Sequence, residues 1–289
     1  MMVTEQTLFV GLRSILFVPA DRPDLLAKAA AGDADAVCID LEDAVSPDAK
    51  MDARRAIGDA ADTARSGGKR VFIRINNEPD LIEADLAVAA KAGDAIVFPK
   101  AGSPTECAQL KARLEHHQKS GERRPALVAQ VETAAGLLMF ANEKIGSLAE
   151  VVDALTIGTE DLSENLNCNP DASPVRTGFD MLAIAASASD IPLFGFSGSI
   201  SEFTDLDRFR SDVESGKQAG ASGAFCIHPR QVGIINQIFT PADHEINQAR
   251  RIVDAFETAM ARQTGAIKLD GRMIDRPVYL RALAVLKSR

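Results

Sequence analysis

Apolar positions along the chain fall into short continuous runs separated by longer amphipathic stretches. RSILFVPA (13–20) is apolar on both alternating faces and closes at Pro19, which fits a strand buried on both sides. Runs of the same kind recur at AVCIDLEDA (36–44), RVFIRIN (70–76), AIVFPKA (95–101), ALVAQVET (126–133), ALTIGTEDL (154–162), IPLFGFSG (191–198) and ASGAFCIHP (221–229). Helical patterns lie between them. The first has Asp21 as a cap, Pro23 in its first turn and Gly32 as its stop. The next are an Ala- and Arg-rich helix over 47–65, closed by Gly67 and Gly68, and then 79–92, 104–120, 134–150, 177–189 and 204–219. A longer loop, NLNCNPDASP, precedes the 177–189 helix. The repeating units share no sequence motif.

Eight strand-like runs in strict alternation with helices imply a parallel sheet with crossover connections. Eight such units in about 230 residues predict a (β/α)8 TIM barrel. A doubly wound open sheet is the competitor, but no GxGxxG follows the first strand. After the eighth run the character changes. FTPADHEINQARRIVDAFETAMARQTG reads as one long amphipathic helix from Pro241 to Gly265. A short strand or turn at Asp270-Gly271, a Met-Ile-Asp-Arg-Pro turn and a final helix complete the chain. The division expected is a barrel over 1–240 and a helical extension over 241–289. The extension is expected to pack on the barrel, on a neighbouring subunit or across the mouth.

Composition narrows the function. With 46% apolar and 25% charged residues, the 289-residue chain is an ordinary globular protein. Its net charge of −9 argues against a general nucleic-acid or membrane-surface binder, while allowing one anionic ligand on a local basic patch. No apolar run is long enough to span a bilayer. TLFVGLRSILFVP is broken by Arg13 and lacks a basic leader, so it reads as a strand and not as a signal. Cys38, Cys107, Cys168 and Cys226 are dispersed, with no CxxC pair, as expected of free thiols in a cytoplasmic protein without zinc.

In a TIM barrel the strand C-terminal ends build the site. Here they offer Asp40, Glu42 and Asp43, then Arg74 and Asn76, Lys100, Glu132, Glu160 with Asp161, and His228; Arg22 follows the first strand. Glu132 and the Glu160-Asp161 pair end adjacent strands, and carboxylates meeting there without His or Cys suit Mg²⁺; ordinary solvent-facing acids are the alternative. Arg74 in an apolar strand needs an anionic partner. That partner is either Glu42 or Asp43, closing the barrel, or a substrate carboxylate or enolate oxygen. Lys100 reads as a phosphate contact, a Schiff-base lysine or a surface lysine, and His228 as a base or a supporting histidine. Arg54 and Arg55 read as a solvated helix face. There is no Ser-His-Asp or Cys-His set and no HExxH, so metal-assisted chemistry on an anionic substrate is the inference.

RSILFVPADRPDLLAKA, AVCIDLEDAVSPDAK, VFIRIN, VFPKA, VETAAGL, IGTEDL, FCIHPRQV and KLDGRMIDRPV, in this order, resemble the citrate lyase beta-subunit-like members of the HpcH/HpaI aldolase superfamily. The resemblance implies a Mg²⁺-dependent enzyme that cleaves or forms a C–C bond in a malyl-CoA-, citramalyl-CoA- or citryl-thioester-like substrate, with a 2-oxo acid as the other partner. Glu132 and Asp161 then match the metal ligands, and Arg74, with Glu132, the substrate-binding site. Asp275 matches an acid/base that enters a neighbouring subunit, implying a homotrimer or a dimer of trimers. Phe17, Arg22 and Lys28 match the CoA path, with Lys100 and His228 near it. The rival expectations are a citrate lyase beta subunit acting on a carrier-protein thioester, a malyl-CoA-type thioesterase, and a non-catalytic acyl-CoA-binding homologue. NLNCNPDASP and PLFGFSGSISEF are where substrate choice is expected to be set.

Overall fold

The apolar runs form parallel strands β1 (Ser14–Pro19), β2 (Ala36–Asp40), β3 (Arg70–Arg74), β4 (Ala95–Phe98), β5 (Ala126–Val131), β6 (Ala154–Ile157), β7 (Leu193–Phe194) and β8 (Ala224–Cys226). Their order is β7-β6-β5-β4-β3-β2-β1-β8. A parallel bridge from Phe194 to Gly223, with the Gly195 N–H donating to the Gly223 carbonyl at 2.9 Å, joins β7 to β8. The sheet is thus a (β/α)8 barrel, as the alternation predicts. The computed structural model describes residues 8–117, 124–144, 146–261 and 265–287, so part of the helix read over 104–120 lies outside the described residues. It runs Pro104–His116 where described. Among the described residues no helix is long and apolar enough to cross a membrane.

Several elements depart from the reading of the sequence. The run at 191–198 contributes only two strand residues, because Gly195 (φ 127°) and Gly198 (φ 146°) turn the chain out of the extended region. The helix read over 47–65 is a 3-10 turn followed by Lys50–Arg55 and Ile57–Ser66. The helix read over 134–150 is Ala134–Ala141 and Leu148–Val151, separated around Gly146 with φ 83°. A helix at Thr159–Asn165 was not anticipated, nor was the one at Pro229–Phe239. The first of these places Glu160 and Asp161 in a helical first turn and not at a strand end.

Period 2 along each strand sends one row of side chains into the barrel. Small residues of that row (Ala36, Ala95, Ala126, Ala154) share a buried cluster with Phe72, Phe194 and Phe225. Phe72 and Phe194 each meet the Phe225 ring edge-on at 6.4 Å. Alanines on β2, β4, β5 and β6 make room for the phenylalanines of β3, β7 and β8, and the interior is filled without a tryptophan in the chain.

The opposite ends of the strands carry a repeat that is absent from the reading of the sequence. Asp35, Asp94 and Asp153 each stand one place before an even-numbered strand, followed by alanine. Each carboxylate accepts a backbone N–H from the preceding odd strand or the residue before it: Arg13 at 2.8 Å, Val71 at 2.7 Å and Leu127 at 2.7 Å. Each also meets an arginine: Arg13, Arg65 and Arg124 respectively. The units therefore do share a motif, Asp-Ala before strands 2, 4 and 6, with a charge-assisted staple as its physical role.

Contacts divide the chain into a unit of Met1–Gln237 and a unit of Ile238–Arg289. In the second, helices Asp243–Ala261 and Arg276–Lys287 pack through Ala249, Val253 and Ala282, and Phe256 stacks on Tyr279 at 4.8 Å. A hairpin of Ile267–Leu269 and Arg272–Ile274 turns at Asp270-Gly271, both with positive φ, where a turn is expected.

Replacing Asp35, Asp94 or Asp153 by alanine should each cost about 1–3 kcal/mol, roughly additively because the staples are separate. Arg13 offsets burial to hold the Asp35 carboxyl below its ordinary value. Its contribution is therefore complete above the unfolded pKa of about 4 and should fade as pH falls below it. Urea denaturation of the three single variants and the triple variant, with the Asp35 series repeated in acid, measures both effects.

Candidate active site at the barrel mouth

The inward row becomes polar as it reaches the strand C-terminal ends. On β2 it runs Ala36, Cys38, Asp40; on β3 Phe72, Arg74; on β5 Ala126, Val128, Gln130; on β6 Ala154, Thr156. The parallel register sets Asp40 beside Arg74 and Gln130 beside Thr156. These four side chains, with Glu132 just past β5 and Asp161, line a cavity of about 280 Å³.

Arg74 is the cation of this cavity wall. Its Nε and Nη2 donate to the two oxygens of Asp40 at 2.7 and 2.6 Å, a bidentate pair. Its Nη1 lies 3.1 Å from Glu42 Oε2 without hydrogen-bond alignment, and that buried oxygen has no hydrogen-bond partner among the described residues. The guanidinium stands 4.7 Å from the centre of the Phe17 ring. Burial alone would lower its pKa, and Asp40 and Glu42 more than reverse that, so it stays charged. Of the two acids expected as partners, Glu42 does form an ion pair with Arg74 and Asp43 does not. The fork goes to Asp40 because register, not proximity in sequence, decides which acid lies opposite.

Glu132 is 1% exposed. One oxygen accepts from Gln130 Nε2 at 2.5 Å, the other from the Lys100 backbone N–H at 2.6 Å. Lys100 takes φ 49° where it delivers that N–H. Gly158 leaves the space that Glu132 needs, since a Cβ there would overlap the Glu132 carboxyl. Burial above all, with repulsion from Asp161 and Glu42, pushes Glu132 up to about 7 against the Gln130 and Lys100 bonds. Gln130 Oε1 is buried and, among the described residues, has no hydrogen-bond partner. Two carboxylates and an amide oxygen with spare acceptor capacity form a hard donor set that fits a divalent cation. Among the described residues no three His, Cys, Asp or Glu side chains cluster as metal ligands, so water and substrate would have to complete the coordination shell.

The other expected residues are distributed as follows. Lys100 Nζ is held by Glu42 at 2.7 Å and lies 3.6 Å from Asp43. Glu160 lines the cavity and accepts from the Ser199 hydroxyl at 2.5 Å. His228 stacks flat on Phe203 at 5.2 Å, and its Nδ1 accepts from the Arg230 N–H. Arg22 is exposed and forks onto Asp24, and Lys28 is exposed; neither lines the cavity. Asp275 belongs to the second unit, where Oδ1 accepts the Val278 N–H at 3.2 Å as a helix cap. Arg54 is not a solvated helix-face residue: only 17% exposed, it donates to Asp85, which is fully buried. Gln130, Thr156 and Gly158 were missed, although a glutamine inside an apolar run is itself a signal.

The family profile described as HpcH/HpaI aldolase/citrate lyase matches residues 13–229. A (3S)-malyl-CoA thioesterase of Cereibacter sphaeroides is 32% identical, over 91% of this chain and 89% of its own. An L-malyl-CoA/beta-methylmalyl-CoA lyase of the same species is 30% identical, over 91% and 90%. The crystal structure of CitE from Mycobacterium tuberculosis in complex with magnesium, acetoacetate and coenzyme A superposes with a TM-score of 0.74 at 27% identity, covering 96% of this chain and 97% of that one.

Glu132 titrates at about 7 in the folded chain, but near 4.3 when unfolded. Between these values the folded state holds the extra proton, so stability falls as pH rises through that window and levels above it. In EDTA, Glu132→Gln should therefore gain in melting temperature relative to the parent from about pH 5 to about pH 8. A difference that stays flat with pH would contradict the assignment.

Proposed function

The chain belongs to the HpcH/HpaI aldolase/citrate lyase family, and from that footing we propose a carbon–carbon lyase acting on a short 3-hydroxyacyl-CoA dicarboxylate thioester of the malyl-CoA or citramalyl-CoA type. The observation that carries the reading is Arg74, immobilised by Asp40 and facing the same cavity as the buried Glu132 and the half-buried Asp161.

Glu132 and Asp161 are the residues proposed to hold Mg²⁺. When bound, the ion supplies Lewis-acid polarisation of substrate oxygens and a compensating charge for the two acids. Arg74 has five N–H donors. Two are committed to Asp40 and one faces Glu42, which leaves two to bind substrate carboxylate or developing oxyanion. Its fixed orientation means little reorganisation is needed as charge develops. In the cleavage direction the hydroxyl proton passes to solvent water, the bond between the hydroxyl-bearing carbon and the thioester α-carbon breaks with its electron pair left on the α-carbon as the thioester enolate, and a 2-oxo acid departs. The thioester enolate then takes a proton at carbon. Asp275 is the proposed donor, acting in the mouth of a neighbouring copy in a homotrimer or dimer of trimers. Phe17 covers the guanidinium face and, with Arg22, Lys28, Lys100 and His228, is assigned to the CoA path.

Hydrolysis of the same thioester is the second reading, favoured by the similarity to a malyl-CoA thioesterase. The two separate by product. Malyl-CoA, citramalyl-CoA and 3-hydroxy-3-methylglutaryl-CoA are assayed with Mg²⁺ and with EDTA; cleavage of each releases acetyl-CoA, with glyoxylate, pyruvate and acetoacetate respectively as the second product, and EDTA should abolish turnover. Release of free CoA without 2-oxo acid from malyl- or citramalyl-CoA would assign the protein to hydrolysis. Arg74→Lys should lower kcat/KM by about 10²–10³, because a point charge cannot reproduce the fork. Asp275→Asn should abolish turnover while leaving Mg²⁺-induced thermal stabilisation intact.

A further inference from the structure

Beside the cavity, and not lining it, a second polar network joins the ends of β2 and β3. Lys50, in the first turn of helix Lys50–Arg55, donates to the Leu41 carbonyl at 3.0 Å, the Glu42 carbonyl at 2.9 Å and Asn76 Oδ1 at 2.5 Å. An ammonium has three protons, and all three are used. Asn76, fully buried, donates through Nδ2 to the Leu41 carbonyl and to Asp85 Oδ2. Its backbone N–H also donates to Asp85 Oδ2. Asp85 is fully buried too, and its other oxygen accepts from Arg54 Nε at 2.6 Å.

The consequence falls on Glu42. Its N–H donates to Asp40 at 2.9 Å, and its carbonyl is held by Lys50. With its peptide groups pinned on both sides, its side chain reaches both Arg74 and Lys100. We propose that Lys50 is a positioning residue for the reaction: it fixes the main chain of Glu42, and Glu42 in turn holds Lys100 and places its charge against Arg74 at the mouth. Only a tetrahedral ammonium converges three protons on two carbonyls and an amide at one point; the planar guanidinium of arginine does not.

The test separates this role from simple scaffolding. Arg54 is the control, since it belongs to the same network and, among the described residues, hydrogen-bonds to Asp85 and not to the loop after β2. Hydrogen exchange followed by mass spectrometry on the full chain reads the main chain directly. Lys50→Met should speed exchange of the peptide covering 40–46 by about 10-fold or more, with β5 unchanged. Arg54→Met should speed the 76–85 peptide and leave 40–46 as in the parent. Equal acceleration of 40–46 in both variants, or none in Lys50→Met, overturns the proposal.

The kinetic arm rests on the lyase reading. Lys50→Met should lower kcat by about 10–100-fold while KM moves less than about threefold, through misplacement of a transition-state contact. Arg54→Met at a similar melting temperature should stay within about threefold of the parent kcat. Parallel losses of kcat in the two variants at matched stability would reduce Lys50 to a structural tie. If the parent turns over none of the thioesters, the reaction assignment fails and the exchange measurement still decides the role of Lys50. Lys50→Gln, which keeps two N–H donors, should be intermediate in exchange and serves if the methionine variant does not fold.

Discussion

A charged guanidinium enclosed at the barrel mouth is the constraint from which the rest follows. Arg74 stands on an inward position of β3, with only 12% of its side chain exposed. Burial of an unpaired charge would cost several kcal/mol, so the position demands an acid on a neighbouring strand. Asp40 meets that demand with both oxygens, and the same oxygens also hold the N–H groups of Glu42 and Ala44. One carboxylate thus satisfies the arginine and shapes the loop after β2. Glu42 enters the centre of that charge balance as a consequence, and Lys100 follows to neutralise it.

The two ends of the barrel use charge differently. At one end, Asp35, Asp94 and Asp153 each use acceptor capacity on a neighbouring main chain and an arginine. At the other end, Gln130 Oε1 and Glu42 Oε2 are buried acceptors without hydrogen bonds among the described residues, and Glu132 is raised toward neutrality by burial and by its acidic neighbours. A fold tolerates that imbalance where a ligand can resolve it. The contrast marks the mouth as the end of the barrel with acceptor capacity left for a ligand.

Much of this was legible along the chain. Strands buried on both faces announce themselves as continuous apolar runs, and a lone arginine inside one announces a partner. Which acid answers was not legible, because Asp40 faces Arg74 only once Ala36 pairs with Arg70 in parallel register. The Thr159–Asn165 helix was hidden because Ala154–Ile157 is apolar enough to run on as a strand. Its acidic first turn, Glu160-Asp161, carried the helix-start signal. The role of Lys50 is invisible by nature, since two of its acceptors are backbone carbonyls and leave no mark in side-chain identity. The Asp-Ala repeat was there to be read and escaped only because three short matches lie about 59 residues apart.

Lys100 serves two masters at once. Its backbone N–H fastens the acid after β5, and its side chain fastens the acid after β2. The left-handed φ is what lets a single residue face both ways. The acids on opposite sides of β3 and β4 are therefore linked through one residue, which couples a shift of either strand end to the other. An alteration made to tune one side of the mouth will retune the far side as well, and the rim should be engineered as a hoop, never one spoke at a time.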